Sequence, residues 1–361
     1  MTNNAEKLLV DPDFIKKTNN VRKSQVWKWL EAGPGHRFIY GDNEVARAIS
    51  SIYSNIGLVT DANLSQFDER ILSNSISLSA IMGVLPISGM SRAQKLSAES
   101  VDVFSFLYFL ELEKLSPIFI KGMKEETIEN LNWYEDFFYK LGDGQSRRVL
   151  SSLVNFRANW DINFLRGFSD RRESQYLEDF LKIGSHDTFF DVGAYSGDSY
   201  SAIKNFYGGV KQAVLFEPNP QNRQQAALNL MNDPKVTFSH FALGDQNYKS
   251  RIFLSGTSSH VAESGQISVD VRKLDDISLP VPSFIKADIE GFEQNFLVGA
   301  KNTISEHRPV LAIAVYHTPA QLRQVVDICI ELLPDSQFRL RHYTEGFTET
   351  ILYALPREKI E

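Results

Sequence analysis

The stretch DTFFDVGAYSGDSYSAIKNF, residues 187–206, constrains this chain more than any other. An apolar run leads through Asp191 and Val192 into two glycines, Gly193 and Gly197, and then into a helical pattern. Strand, tight turn and helix start together make a ligand cradle. Glycines let the backbone approach a bound group, and the first N–H groups of a helix have no partner inside it. A tight strand-to-helix connection in any α/β protein also favours glycine, so what the cradle binds has to be read from its surroundings.

Behind this stretch strands and helices alternate: AVLFE, PQNRQQAALNLM, KVTFSHFAL, SFIKADI, EQNFLVGAKNTI, PVLAIAVYH and AQLRQVVDICIELL. Such alternation predicts a parallel sheet covered by helices. Two polar-spaced runs between Ser250 and Leu274 predict an inserted hairpin. Near the end, FRLRHY and TETILYAL are separated only by a few residues around TEGF. Parallel neighbours need a crossover of roughly a dozen residues, so these two strands should be antiparallel.

Ahead of the cradle, RFIYGDNEVARAISSIYSNIGLVTDAN reads as strand, helix, strand. Short apolar runs at Val84–Ile87, Val101–Phe109 and Pro117–Ile120 extend the same small sheet in this reading. The expected organisation is an N-terminal α/β domain over 1–122, a helical connector over 123–184 and a cofactor domain over 185–361. In the N-terminal domain Asp42 and Glu44 crowd the helix start, which suits capping better than phosphate binding. A docking or homo-oligomerisation module is the expected role.

With 361 residues and a formal charge of −7, the chain is not built as a general nucleic-acid binder. Its one cysteine, Cys329, excludes an internal disulfide framework and sits at helical spacing among leucines and valines, as a core thiol would. The N-terminus lacks a basic-then-apolar leader, and the richest apolar run, VDVFSFLYFL, is too short to span a bilayer. A cytoplasmic protein acting on a small-molecule or carbohydrate acceptor is the expectation.

The turn itself narrows the ligand. Gly193 and Gly197 lack the third glycine of the dinucleotide fingerprint, and Asp191 and Asp198 would repel a pyrophosphate. They suit a ligand bearing an ammonium and a sulfonium, the charge pattern of S-adenosyl-L-methionine. Glu217 closes the next strand, where an acid can accept both hydroxyl hydrogens of a ribose. The competing role for Glu217 is to cap the helix that begins near Asn219.

DVGAYSGDS, FEPNP, ALGD, KADIEGFEQNFLVGA and RHYTEGFTETILYA, in this order, resemble the FkbM family of S-adenosylmethionine-dependent methyltransferases. The likeness runs from about Arg171 to the C-terminus, and ESQYL just before the fold is also similar to a family feature. It implies a class I methyltransferase fold, a Rossmann-like sheet with an antiparallel last strand, preceded by the smaller α/β domain and the connector. Carried over, Asp191, Gly193 and Gly197 line the methionine end, Glu217 holds the ribose and the segment around Ala242 sits by the adenine; Tyr195, Asp198 and Asn219 are the other expected cofactor-binding residues. O-methylation of a carbohydrate, glycolipid or secondary metabolite is the implied activity. An NAD-linked Rossmann oxidoreductase and a non-catalytic methyltransferase-like binding subunit are the alternatives.

Ligands of open α/β sheets lie outside the carboxyl ends of the strands. Asp288 and Glu290 follow SFIKA there, and Tyr316 and His317 follow VLAIAV, so Asp288, Glu290 and His317 are the expected catalytic residues. The remaining histidines show no metal-ligand spacing. Carboxylates at strand ends can hold a divalent metal, but no dense acidic cluster in the sequence demands one and none is expected.

Overall fold

A computed structural model describes residues 12–54, 56–117, 120–231, 233–253, 260–262 and 265–360. Internal contacts divide the chain into two compact units: Met1–Phe138, Arg147–Asp170 and His342–Thr348 in one, and Tyr139–Ser146, Arg171–Arg341 and Glu349–Glu361 in the other. Both units draw on residues 123–184. No described helix is long and apolar enough to cross a membrane.

The first unit holds a parallel four-stranded sheet of β1 (Arg37–Tyr40), β2 (Leu58–Val59), β3 (Ile76–Ser79) and β4 (Glu99–Asp102), in the order β2-β1-β3-β4. Phe38, Tyr40, Val59, Leu72 and Ala93 pack one core of this unit. Two expected strands are helical. Pro86 opens a helix to Leu96, and Asp102 caps the helix Val103–Phe109 by accepting from the Ser105 N–H. An apolar run of this length fits a buried helix as well as a strand, and the cap decides it. Residues 118 and 119 of the Pro117–Ile120 run lie outside the described residues. Strand β3, ISLS, carries serines whose hydroxyls bond across the sheet, Ser77 to Ser100 at 2.6 Å, which hides a buried strand behind polar letters.

The second unit is built on seven strands: β5 (Thr188–Val192), β6 (Gln212–Phe216), β7 (Val236–Ser239), β12 (Phe284–Ala287), β13 (Val310–Ala314), β14 (Gln337–His342) and β15 (Thr350–Leu355). Their order is β14-β15-β13-β12-β5-β6-β7. Strands β5, β6, β7, β12 and β13 are parallel, and β15 runs against β13. Every residue of β5 and β12 is buried, as expected for central strands covered on both faces. The hairpin expected after Ser250 is part of a second sheet. There β8 (Ala242–Leu243), β9 (Tyr248–Phe253), β10 (His260–Ala262) and β11 (Ile267–Arg272) lie in the order β10-β9-β11-β8, with β9 and β11 antiparallel. Cys329 is a buried thiol, as its spacing indicates.

Within this unit the buried Arg341 binds Asp143 at 2.9 Å, Glu178 at 3.0 Å and the Ser146 hydroxyl at 2.9 Å. Burial alone would raise the Asp143 pKa, but the bonds from Arg341 and Ser146 outweigh it and hold the carboxyl at about 2. Asp143→Asn is therefore expected to cost about 1–2 kcal/mol of stability at neutral pH. A carboxylate whose folded pKa is depressed stabilises above its unfolded value of 3.8 and loses that contribution as pH falls towards 2. Thermal unfolding of parent and variant checks this: the gap between them has to narrow between about pH 7 and about pH 3.

Candidate active site

Register brings the site together. Val192 pairs with Phe216, and Ala287 pairs with both Val192 and Ile313, so β5, β6, β12 and β13 end at one edge of the sheet. Gly193, Glu217, Asp288 and Tyr316 therefore emerge side by side.

At the end of β5 the backbone turns through left-handed Gly193 and Gly197, with φ of 83° and 77°. The Gly193 and Ala194 N–H groups both donate to the Phe216 carbonyl, at 3.0 and 3.1 Å, which ties the turn to β6. A side chain on Gly193 would run into the Asp288 carbonyl oxygen, so glycine is required where the turn meets the end of β12. Gly197 precedes the helix Asp198–Tyr207, placing Asp198 in its first turn.

Glu217 is nearly buried and accepts the Tyr195 N–H and the Asn219 N–H, each at 2.9 Å and each on a different carboxylate oxygen. Burial raises its pKa, opposed by those bonds. Asn219 caps the helix Pro220–Asn229 through the Gln221 N–H. Gly193, Tyr195, Glu217, Asn219 and Ala242 line one cavity, walled on its apolar side by Phe241, Leu243, Ile252 and Phe292. Gly197 and Asp198 line a neighbouring one with Gln175, Tyr176 and Ser196.

Asp191 lines neither cavity. It is fully buried, with Lys286 Nζ at 3.0 Å. Burial pushes its pKa up to about 6, against the pull of Lys286. Lys286 also donates to the Gly193 carbonyl at 2.6 Å and lies 5.8 Å from the Tyr176 ring centroid. This lysine was not singled out in the sequence, where a charge in the middle of SFIKADI looks like an interruption of the strand.

The three expected catalytic residues meet at the ends of β12 and β13. His317 Nε2 lies 3.3 Å from Asp288 and 3.6 Å from Glu290, while its Nδ1 lies 3.1 Å from the buried Glu293. Glu293 is fixed by the Ile289 N–H at 2.7 Å and by the Gln321 side-chain amide. Burial would lower the His317 pKa, but Glu293, Asp288 and Glu290 raise it to about 9. Glu290 is pushed up to about 7 by burial, and Glu349 likewise by burial and by Asp288. Glu349 accepts from the Gln175 amide at 3.1 Å. The Tyr316 hydroxyl stands 3.4 Å from both Asp288 and Glu349.

Glu293 and Glu349 thus join a dense acidic group that the sequence did not disclose, because they come from separate segments. Asp288, Glu293 and His317 present ligand-type atoms within 4.8 Å of one another and can hold a metal ion. Both ring nitrogens already face carboxylates, so an imidazolium ion pair accounts for the same geometry without one. Tyr176, Tyr195, Glu290 and Glu349 all adopt left-handed backbone, with φ of 67°, 45°, 57° and 65°. Strain in residues with side chains gathers at working sites, where the surroundings hold it in place.

Residues 191–340 match a family model described as the methyltransferase FkbM domain. The crystal structure of Methyltransferase FkbM from Methylobacillus flagellatus resembles the chain with a TM-score of 0.70 at 18% identity, over 96% of this chain and 100% of that one. Fibrillarin from Aeropyrum pernix, in complex with natively bound S-adenosyl-L-methionine, matches at a TM-score of 0.34 and 9% identity over 48% of this chain and 69% of its own. A SAM-dependent O-methyltransferase from Thermotoga maritima matches at 0.32 and 12% identity over 51% and 64%. No curated protein matches the chain.

Proposed function

Since this chain carries an FkbM methyltransferase domain on the class I fold and is an S-adenosylmethionine-dependent methyltransferase, we propose that it methylates a hydroxyl of a carbohydrate, glycolipid or secondary metabolite. One observation carries the reading: the acid-rich turn that ends β12 packs directly on the glycine turn that ends β5. A proton acceptor therefore stands beside the cofactor cradle.

The residues fit S-adenosylmethionine. The glycine turn leaves room for a ligand against its backbone, Glu217 keeps acceptor capacity for ribose hydroxyls, and the apolar wall from Phe241 to Leu243 with Ile252 suits a flat base. Gly193, Tyr195, Glu217, Asn219 and Ala242 bind the cofactor directly. Gly197 and Asp198 shape the helix start beside it, and Asp191 acts from beneath the turn through Lys286. When bound, the cofactor supplies an electrophilic methyl on a sulfonium.

What the chain supplies is placement and a base. Asp288 takes the acceptor proton. Glu290 shares the negative charge, and His317, charged below about pH 9, holds both carboxylates in position. That makes His317 an orienting cation at neutral pH in place of the base its position first suggests. An NAD-linked reaction is disfavoured by the missing third glycine and by the antiparallel β15.

Calorimetry tests the cofactor assignment. S-adenosylmethionine or its demethylated product is expected to bind, with NAD much weaker. Glu217→Ala should lose about 1.5–3 kcal/mol of that binding, the value of a charge-assisted hydrogen-bond pair. An unchanged affinity in the variant, or a preference for NAD, would remove Glu217 from the role given to it.

A further inference from the structure

The first unit has a cavity to which the reaction above gives no task. It lies at the carboxyl end of β4, whose last residue, Asp102, lines it together with residues of the helices Pro12–Glu31 and Pro86–Leu96 and of the segment 162–166. Every lining residue belongs to that unit. Strand ends of this kind are where open parallel sheets hold their ligands.

Charge on the wall is uneven, with Lys17, Arg22 and Arg166 set against Asp102. Both Asp102 oxygens are taken, by the N–H and the hydroxyl of Ser105. Arg22 is 3% exposed and is built in from several sides. Its Nε donates to Ser105 Oγ at 2.7 Å, its Nη1 to the Asn19 side chain at 3.0 Å and the Asn159 carbonyl at 3.1 Å, and its Nη2 to the Trp160 carbonyl at 2.6 Å. A guanidinium offers five N–H donors, so one on Nη2 is left over in a buried place. The Arg22 charge is met by Asp102 and by Asp161, whose Oδ2 lies 3.8 Å from Nη1. Lys17 and Arg166 are exposed and make no ion pair among the described residues, and Arg166 Nε donates to the Asn163 side-chain oxygen. Two positive charges at the mouth thus lack a counter-charge of their own. Beside them the wall is apolar at Met90 and Ile162, which are buried, and at Val21, which is 56% exposed.

We propose that this cavity binds a small organic phosphate. The phosphate group takes Lys17, Arg166 and the left-over N–H of Arg22, and the carbon body lies against Val21, Met90 and Ile162. A phosphate monoester carries nearly two negative charges at neutral pH and three strong acceptor oxygens, which match two uncompensated cations and three donor groups. A carboxylate has one charge and would leave one of the two cations unmet. The site stands apart from the methyltransferase reading and can fail without it.

The test titrates the full chain, saturated with S-adenosylhomocysteine, with phenyl phosphate, inorganic phosphate and phenol by calorimetry at constant ionic strength. Phenyl phosphate should bind with a Kd below about 1 mM and about tenfold or more tightly than either fragment. Joint Lys17→Gln and Arg166→Gln substitution removes both mouth charges, and Val21→Glu sets an acid beside them. Each variant should weaken phenyl phosphate by about tenfold or more. All three positions are exposed, so the variants should melt with the parent protein. No binding of phenyl phosphate, binding no tighter than that of phenol or inorganic phosphate, or binding that either variant leaves unchanged overturns the site.

Discussion

Asp288→Asn should lower turnover by about 10²–10⁴-fold while S-adenosylmethionine affinity stays within about twofold. That range is the usual loss when a positioned general base is removed. The carboxylate follows β12, whose last residue pairs with Val192 where the glycine turn begins, so in the proposed reaction a rigid strand end holds it beside the methyl's path. Asparagine preserves the contacts with Tyr316 and His317 in outline and abolishes basicity. Release of S-adenosylhomocysteine, followed on any acceptor that the parent enzyme methylates, gives turnover, and calorimetry gives affinity. Parent-like turnover in the variant would reduce Asp288 to a turn acid and leave Glu290, with its pKa near 7, as the base.

Gly193→Ala should weaken S-adenosylmethionine binding by more than about 100-fold and lower stability by roughly 2–4 kcal/mol. Two penalties combine. At φ 83° a side chain is strained wherever it points, and the atoms it would strike are the carbonyl oxygen and carbon of Asp288. Backbone cannot rotate aside as a flexible side chain can, so relief requires β5 and β12 to move apart at the site. Gly184→Ala is the internal control, since nothing lies within 4 Å of the position a methyl would take there. Thermal unfolding and calorimetry of both variants decide it, and two equal, small effects would mean that the turn yields.

How much of this was legible in the sequence depended on whether the signal was local. The cradle, the acid at the end of β6, the antiparallel ending and the meeting of Asp288, Glu290 and His317 follow from short-range pattern plus the rule that parallel strands present their carboxyl ends together. Lys286 was hidden because an apolar strand was read for its apolar letters, although a buried lysine in one makes sense once Asp191 lies on the neighbouring strand. Glu293 and Glu349 escaped for a different reason. One sits inside a helix and the other beyond a turn, and only packing shows that both face His317 or Tyr316. In the N-terminal unit the errors were of period. VFSFLYF has the continuous apolar character of a buried element of either kind, and ISLS satisfies its polar letters internally.

The position of β15 has a consequence for how the protein is made. Synthesis delivers β14 before β15, yet β14 sits at the sheet edge beyond β15 and has no other strand beside it in the seven-stranded order. A nascent chain that has emerged only through β14 therefore carries a strand, QFRLRH, waiting for its place, with the edge of β13 still open to any passing partner. The last strand must slide between two that are already present. Glu349 stands immediately before it, so the acid that faces Tyr316 arrives only with the strand that fills the gap between β13 and β14.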